Sequence, residues 1–244
     1  MLKLVTGIIV LVAAIAAFAP ATLLDAPLAT FSQRRLRLAD ATGPWWRGHA
    51  TVATTAGGVR IPVRWNVVGA APVRGGLVVR VGDGDDDAPR ATITIGSAGI
   101  DARELHVRVP AAMLATLDPR LQTMTPGGII TVDAPSLSSA GDAVGGILNA
   151  TWTRARIVTG AAIVDVGTVT LTARLGTQPA TATISNTGGD VAVAGTIVDK
   201  AGVTDVDVVL RPTATASVEA HDALSMLGAP DATGAIHVVW RVSR

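Results

Sequence analysis

The sequence predicts an all-β protein, mainly antiparallel sheet with two short helices, preceded by an N-terminal transmembrane helix. Three observations carry that expectation. Apolar and polar residues alternate with period two in run after run along the chain. Turn signals rich in Gly, Pro and Asp separate those runs. A long uncharged apolar segment opens the chain.

The opening segment runs from Leu4 to Leu24, 21 residues bounded by Lys3 and Asp25 and interrupted by Pro20. At about 1.5 Å per residue, a helix of that length would cross a hydrocarbon core of roughly 30 Å. A cleaved signal peptide ending at Ala19-Pro20-Ala21 and a buried core helix are the rival readings. The segment reads best as an uncleaved anchor with its N-terminus in the cytoplasm, because the tail before it is too short to hold a domain. Arg34, Arg35 and Arg37 beyond its far end run against the positive-inside rule. The chain then divides into an anchor at 1–25, a juxtamembrane stem at 26–42 and an exported β domain at 43–244.

The strands follow from alternation. Ile61, Val63, Trp65 and Val67 alternate with Arg60, Pro62, Arg64 and Asn66. Leu105, Val107 and Val109 alternate with His106 and Arg108. Val169, Leu171, Ala173 and Leu175 alternate with Thr168, Thr170, Thr172 and Arg174. Val206, Val208 and Leu210 alternate with Asp205, Asp207 and, less cleanly, Val209, and Ile236, Val238, Trp240 and Val242 with His237, Val239, Arg241 and Ser243. One apolar face and one mostly polar face per strand is the pattern of antiparallel sheet with a wet side. Turns are expected at Ala56-Gly57-Gly58, Gly82-Asp83-Gly84, Pro126-Gly127-Gly128 and Thr187-Gly188-Gly189-Asp190. Helices are expected at Pro110–Leu117, with Pro in the first turn, and at Val218–Leu227, with Gly228 as a stop. Each helix is followed by a Pro-containing loop, a Gly turn and a strand, an echo that suggests two similar β lobes at 43–140 and 147–244.

Composition narrows the function. The chain has 244 residues, is 49% hydrophobic and 16% charged, and carries a net charge of +1. Beyond Arg34, Arg35 and Arg37 the chain has no Arg/Lys run, so nothing suggests a nucleic-acid binder. Five Trp, two Phe and no Tyr leave little for base or sugar stacking, and the absence of Cys excludes disulfides and thiolate chemistry. Asp83, Asp85, Asp86 and Asp87 cluster, yet the twelfth position from Asp83 is Thr94, not the Glu a calcium loop needs. His49, His106, His221 and His237 show no metal-ligand spacing. Ser136-Leu137-Ser138-Ser139 lacks a nucleophile elbow, and the Gly pairs 145–146 and 188–189 lack the Lys of a phosphate loop. No carboxylate pair is placed for acid–base work, so no enzyme, cofactor or metal is expected.

Several short elements in order resemble the type II secretion system protein N family. They are Ala19-Pro20-Ala21-Thr22-Leu23-Leu24 closing the apolar segment, Trp46-Arg47-Gly48 within the stretch Ala39–Gly48, and the strand ending Arg64-Trp65. Gly127-Gly128-Ile129-Ile130-Thr131-Val132, Asn149-Ala150-Thr151-Trp152 and Asp222-Ala223-Leu224-Ser225-Met226-Leu227-Gly228 continue the series. The resemblance implies a single-pass protein of the Gram-negative cell inner membrane with a β-rich domain in the periplasm. It would serve protein transport as an accessory part of the secretion machine. Its implied partners are the inner-membrane platform proteins and the secretin.

Two sets of residues stand out as contacts. Trp45 and Trp46 are adjacent, so in an extended chain they point to opposite faces; one is available to a partner or to the membrane interface. Arg34, Arg35 and Arg37 follow the anchor and suit anionic lipid headgroups. The alternative to a scaffold role is a periplasmic module that binds or transfers a lipid or other hydrophobe on an open sheet face.

Overall fold

The structure is a computed structural model that describes residues 19–32, 34–55, 60–71, 76–82, 90–97, 99–117, 125–140, 143–159, 162–200 and 202–243. The expected anchor at 1–25 lies outside the described residues except for 19–25, as do the Asp83–Asp87 cluster and Ala56, Gly57, Gly58 and Gly84. Among the described residues, no helix is long and apolar enough to cross a membrane. The chain forms two compact units, Met1–Ser97 and Ala98–Arg244.

The first unit begins with a 3-10 turn at Ala21–Leu24 and helix α1 (Asp25–Phe31). Strands β1 (Leu36–Thr42), β2 (Arg47–Thr54), β3 (Arg60–Ala71), β4 (Gly76–Val81) and β5 (Arg90–Gly96) follow. Each strand pairs antiparallel with the one before it. Part of the segment read as a stem is therefore folded, as α1 and β1. The alternation in β3 is realised in burial: Ile61, Val63, Trp65 and Val67 are half-buried, while Pro62, Arg64 and Asn66 are exposed. Among the described residues of this unit, Ala21, Ala50 and Ala91 are the buried apolar ones.

The second unit is a longer meander. It comprises β6 (Gly99–Pro110), helix α2 (Met113–Leu117), β7 (Thr125–Ala140), β8 (Ala143–Thr159), β9 (Ala162–Leu175) and β10 (Ala180–Thr187). Strands β11 (Val191–Lys200) and β12 (Val203–Pro212), helix α3 (Val218–Ser225) and β13 (Ile236–Ser243) complete it. Every strand again pairs antiparallel with its chain neighbour. Helix α3 covers one end of one sheet face. Ala220 and Leu224 pack there with Ala155, Val164, Val166, Val169, Val191 and Ile236 to form the core. Towards the other end of that face Leu171, Val206 and Val208 are only half-buried. No large side chain among the described residues is fully buried.

Three local expectations are corrected. Pro126-Gly127-Gly128 is not a turn: it lies inside β7, where the register against β8 slips between Gly127 and Ile129. A Gly pair relaxes the backbone equally for a turn or a bulge, and the long apolar run after it favours continued pairing. The first helix is confined to Met113–Leu117, because Pro110 closes β6 by pairing with Ile129. The second ends at Ser225, with Met226 and Leu227 in a turn before Gly228. The turn at 187–190 stands where alternation places it, between β10 and β11.

Helix α3 is started by Ser217, whose side-chain oxygen accepts a hydrogen bond from the Ala220 N–H at 3.2 Å. This satisfies one of the donors a helix start leaves unpaired. Ser217→Ala is expected to lower stability by about 1 kcal/mol, measured by urea unfolding; an unchanged midpoint would exclude the cap as a contributor.

The loop from α3 to β13 is tied by Asp231. Its Oδ1 accepts from the Thr233 N–H and Oγ1, each at 2.7 Å, and from the Ala235 N–H at 3.0 Å. These donors, the Thr233 hydroxyl foremost, lower its carboxyl to about 2 from an ordinary 3.8. A depressed folded-state value means the stabilisation is complete above the unfolded value and lost as pH falls through the folded one. Acidification from pH 3.8 to pH 2 is therefore expected to weaken the native state. In Asp231→Asn the urea midpoint should change less over that window; an identical pH slope in both proteins would refute the role.

Candidate functional site: the corner at the end of the leader

The end of the apolar segment does not hang free of the sheet. Trp45 N–H donates to the Ala19 carbonyl and Ala21 N–H donates to the Gly43 carbonyl, both at 2.9 Å. Pro20 and Pro44 form an isolated antiparallel bridge between those bonds. The leader's last residues are thus strand-paired to the turn that joins β1 to β2.

That turn carries Trp45 and Trp46. They stand in the turn itself, not in extended chain. Trp45 is half-buried and its carbonyl accepts from the Trp65 indole Nε1 at 2.7 Å. Trp46 is 39% exposed, and its carbonyl accepts from the Val67 N–H at 2.7 Å. The Trp65 ring lies over Gly48, where an added Cβ would stand 2.6 Å from the ring. Only glycine permits that approach, which is what allows the indole to reach the turn. Leu23, 60% exposed, belongs to the same end of the unit.

The three arginines singled out in the sequence go elsewhere. Arg37 is held by Asp25: its Nε lies 3.0 Å from both carboxylate oxygens. Asp25 also accepts from the Leu38 N–H at 2.8 Å, clamping the start of α1 to β1. The Arg37 hydrogen bond, then the Leu38 N–H, holds the Asp25 carboxyl below its ordinary range, and Asp25 raises Arg37 in turn. Arg34 and Arg35 are exposed at the start of β1, where their carbonyls accept from Thr55. The seven residues of β1 separate them from the Trp45–Trp46 turn, a distance of roughly 20 Å.

Other cations occupy the turn end. Arg47 of β2 is opposite Asn66 of β3, and Asn66 is opposite Arg80 of β4. In the next row His49 is opposite Arg64. These five side chains share the wet face, because Ala50, Val63 and Trp65 alternate to the other one. Arg47, Arg64 and Arg80 are exposed and, among the described residues, none lies within salt-bridge distance of a carboxylate. With Trp65, Pro44 and His49 they line an open cleft of about 510 Å³. His49 is steadied by the Thr42 hydroxyl, 2.8 Å from its Nε2. The sequence reading missed this cluster because its members come from three strands. Each falls on the polar phase of its run, and only the register shows that they coincide.

Among the described residues, no group of His, Cys, Asp and Glu could hold a metal ion. The features described are a cationic corner and a partly uncovered sheet face, borne by an all-β protein of antiparallel sheet with few short helices. A family model described as type II secretion system (T2SS), protein N, matches residues 34–239. The chain belongs to that family, as the short elements in the sequence anticipated. It is a component of type II secretion, a protein-transport process of the envelope, and its partners are other components of that system. No curated protein and no solved structure matches the chain.

Proposed function

We propose that the chain is a single-pass inner-membrane protein, anchored by residues 1–25, whose β domain lies in the periplasm and acts as an accessory scaffold of the secretion machine. It works through protein–protein contacts and catalyses no reaction. Trp45 or Trp46 and the arginines at 34, 35 and 37 remain candidates for contact with a partner and with lipid. The platform proteins and the secretin are the partners to test.

The observation that carries the scaffold reading is the edge at β13. Among the described residues β13 pairs with β12 alone. It exposes apolar side chains on both of its faces, Val239 at 68% and Trp240 at 62%. A native edge strand is ordinarily blunted by Lys, Pro or a bulge, because its open N–H and C=O groups recruit another strand. Here the strand Ile236–Ser243 has no Lys, Pro or register slip against β12, and its one arginine, Arg241, is drawn onto Asp205 of that neighbour. An extended segment of a partner can add to it by backbone pairing, with Trp240 filling a pocket on that partner.

The test has two arms. Deleting the gene in a bacterium that depends on the system should abolish release of the secreted proteins. Restoring it with Val239→Lys/Trp240→Lys should give a folded protein that no longer co-purifies with the platform proteins. Full secretion in the deletion strain would overturn the reading.

A second reading, a module that binds or carries a hydrophobe, is favoured by the end of the inner face that α3 leaves uncovered. Leu171, Val206 and Val208 are half-buried there without any fully buried large side chain. Native mass spectrometry of the full chain separates the two: acyl lipid that survives exchange into detergent and is lost on Val208→Lys supports the carrier reading.

A further inference from the structure

We propose that the cleft over Arg47, Arg64 and Arg80 is a headgroup site for an anionic phospholipid of the leaflet from which the leader emerges. The inference rests on the membrane-anchored reading above and adds to it a ligand class, a site and an orientation.

The first support is position. Two backbone hydrogen bonds of 2.9 Å and the Pro20–Pro44 bridge fasten the β1–β2 turn to Ala19 and Ala21, near the end of the apolar segment. If that segment is in lipid, the turn sits at the bilayer surface, because there is no slack between them. Trp46 and Leu23, both exposed at this corner, are suited to the interfacial zone, where an indole is favoured. The cleft opens beside the same turn, lined in part by Gly43 and Pro44.

The second support is charge. Strands in a sheet are about 4.8 Å apart, so Arg47 and Arg80, separated by Asn66, have backbones roughly 10 Å apart. Long flexible side chains from that spacing converge on one small anion. Like charges gathered on one sheet face repel, and the described residues supply no carboxylate partner. A phosphodiester between them would remove the repulsion. Guanidinium forks match phosphate oxygens with paired N–H donors, and Asn66 adds an amide donor to the same row. Arg37, by contrast, is already satisfied by Asp25, and Arg34 and Arg35 lie at the far end of β1.

The test uses the full-length chain purified in a mild non-ionic detergent. Native mass spectrometry is run with phosphatidylglycerol, with phosphatidylcholine, and with inorganic phosphate as competitor. The wild type should retain phosphatidylglycerol at least about tenfold over phosphatidylcholine, given that each basic side chain near an anionic surface contributes appreciably. Arg47→Gln/Arg64→Gln/Arg80→Gln should abolish that preference, and Arg34→Gln/Arg35→Gln should preserve it. Should the triple variant lose its sheet spectrum in circular dichroism, Arg80→Gln alone decides, with a smaller loss of preference expected. Equal retention in wild type and the Arg47/Arg64/Arg80 variants overturns the site. Displacement by inorganic phosphate overturns the lipid assignment and leaves a free-anion site.

Vesicle flotation keeps the two levels apart. A chain that floats with phosphatidylcholine vesicles but shows no phosphatidylglycerol preference retains its anchor and lacks the headgroup site. A chain that floats with neither kind of vesicle has no anchor, and the headgroup site falls with it.

Discussion

Gly128→Ala is expected to destabilise the second unit by more than about 4 kcal/mol. Gly128 has φ +101, a conformation that side chains rarely adopt. An added Cβ would overlap the carbonyl oxygens of Thr153 and Arg154 and stand 2.9 Å from the Arg154 carbonyl carbon. All three atoms are backbone, so no rotamer change relieves the clash. They are also fixed from the far side, because Arg154 itself has φ 52 at the point where β8 slips register against β9. Two bulges on neighbouring strands are nested there, and the glycine is what lets them approach. Gly188→Ala is the comparison: its φ is +73, but nothing lies within 4 Å of the added carbon. It should cost only about 1–2 kcal/mol, from backbone strain alone. Urea unfolding of the full chain in detergent, followed by circular dichroism, measures both. Equal losses for the two variants would show that the nested bulges are not tightly packed.

A second large effect is expected at Asn186. Its Nδ2 donates to the Val166 and Val191 carbonyls at 2.7 and 2.6 Å, and its Oδ1 accepts from the Val193 N–H at 2.7 Å. The β10–β11 ladder ends at Ser185 opposite Ala194. The amide thus supplies, one residue later, the bonds that the backbone no longer makes, and ties β9 into the same knot. Asn186→Leu keeps the size and strands three main-chain groups that are part-buried. Each deprived group costs about 1 kcal/mol or more, for a total near 3 kcal/mol. Asn149→Leu should change little. The Asn149 side chain is exposed and accepts only from the Thr172 hydroxyl, and such surface changes fall within about 0.5 kcal/mol. A similar thermal midpoint for the two variants would mean that water replaces the Asn186 amide without loss.

Much of this architecture is legible in residue order. Val169, Leu171, Ala173 and Leu175 face inward against exposed Thr170, Thr172 and Arg174, as alternation requires. Burial sorts side chains by face, and a period of two is the direct imprint of that sorting. The bulges were not legible. Pro126-Gly127-Gly128 carries the composition of a turn, and what keeps β7 going through it is a partner strand about 25 residues later in the chain. Asn186 gave no signal either: an Asn beside Thr187-Gly188-Gly189 reads as part of the turn, and its role depends on β9 and β11 arriving on both sides.

At the candidate site, Trp45 and Trp46 drew attention because two adjacent tryptophans are conspicuous in a chain with five. The arginines nearest the leader in sequence, Arg34, Arg35 and Arg37, drew attention for their proximity along the chain. Strand pairing instead brings Arg47, Arg64 and Arg80 to the turn at the leader's end. Sequence distance and spatial distance disagree there because α1 and β1 run the chain away from the corner and back. Register, which no single sequence displays, is the missing quantity.

The pairing of every strand with its chain neighbour within each unit has a kinetic meaning. No strand must wait for a distant segment to be synthesised or delivered before it can bond, so loop-closure entropy stays small at each step. A polypeptide emerging end-first from a narrow conduit can therefore zip one hairpin at a time, and its unsatisfied rim is never wider than a single strand.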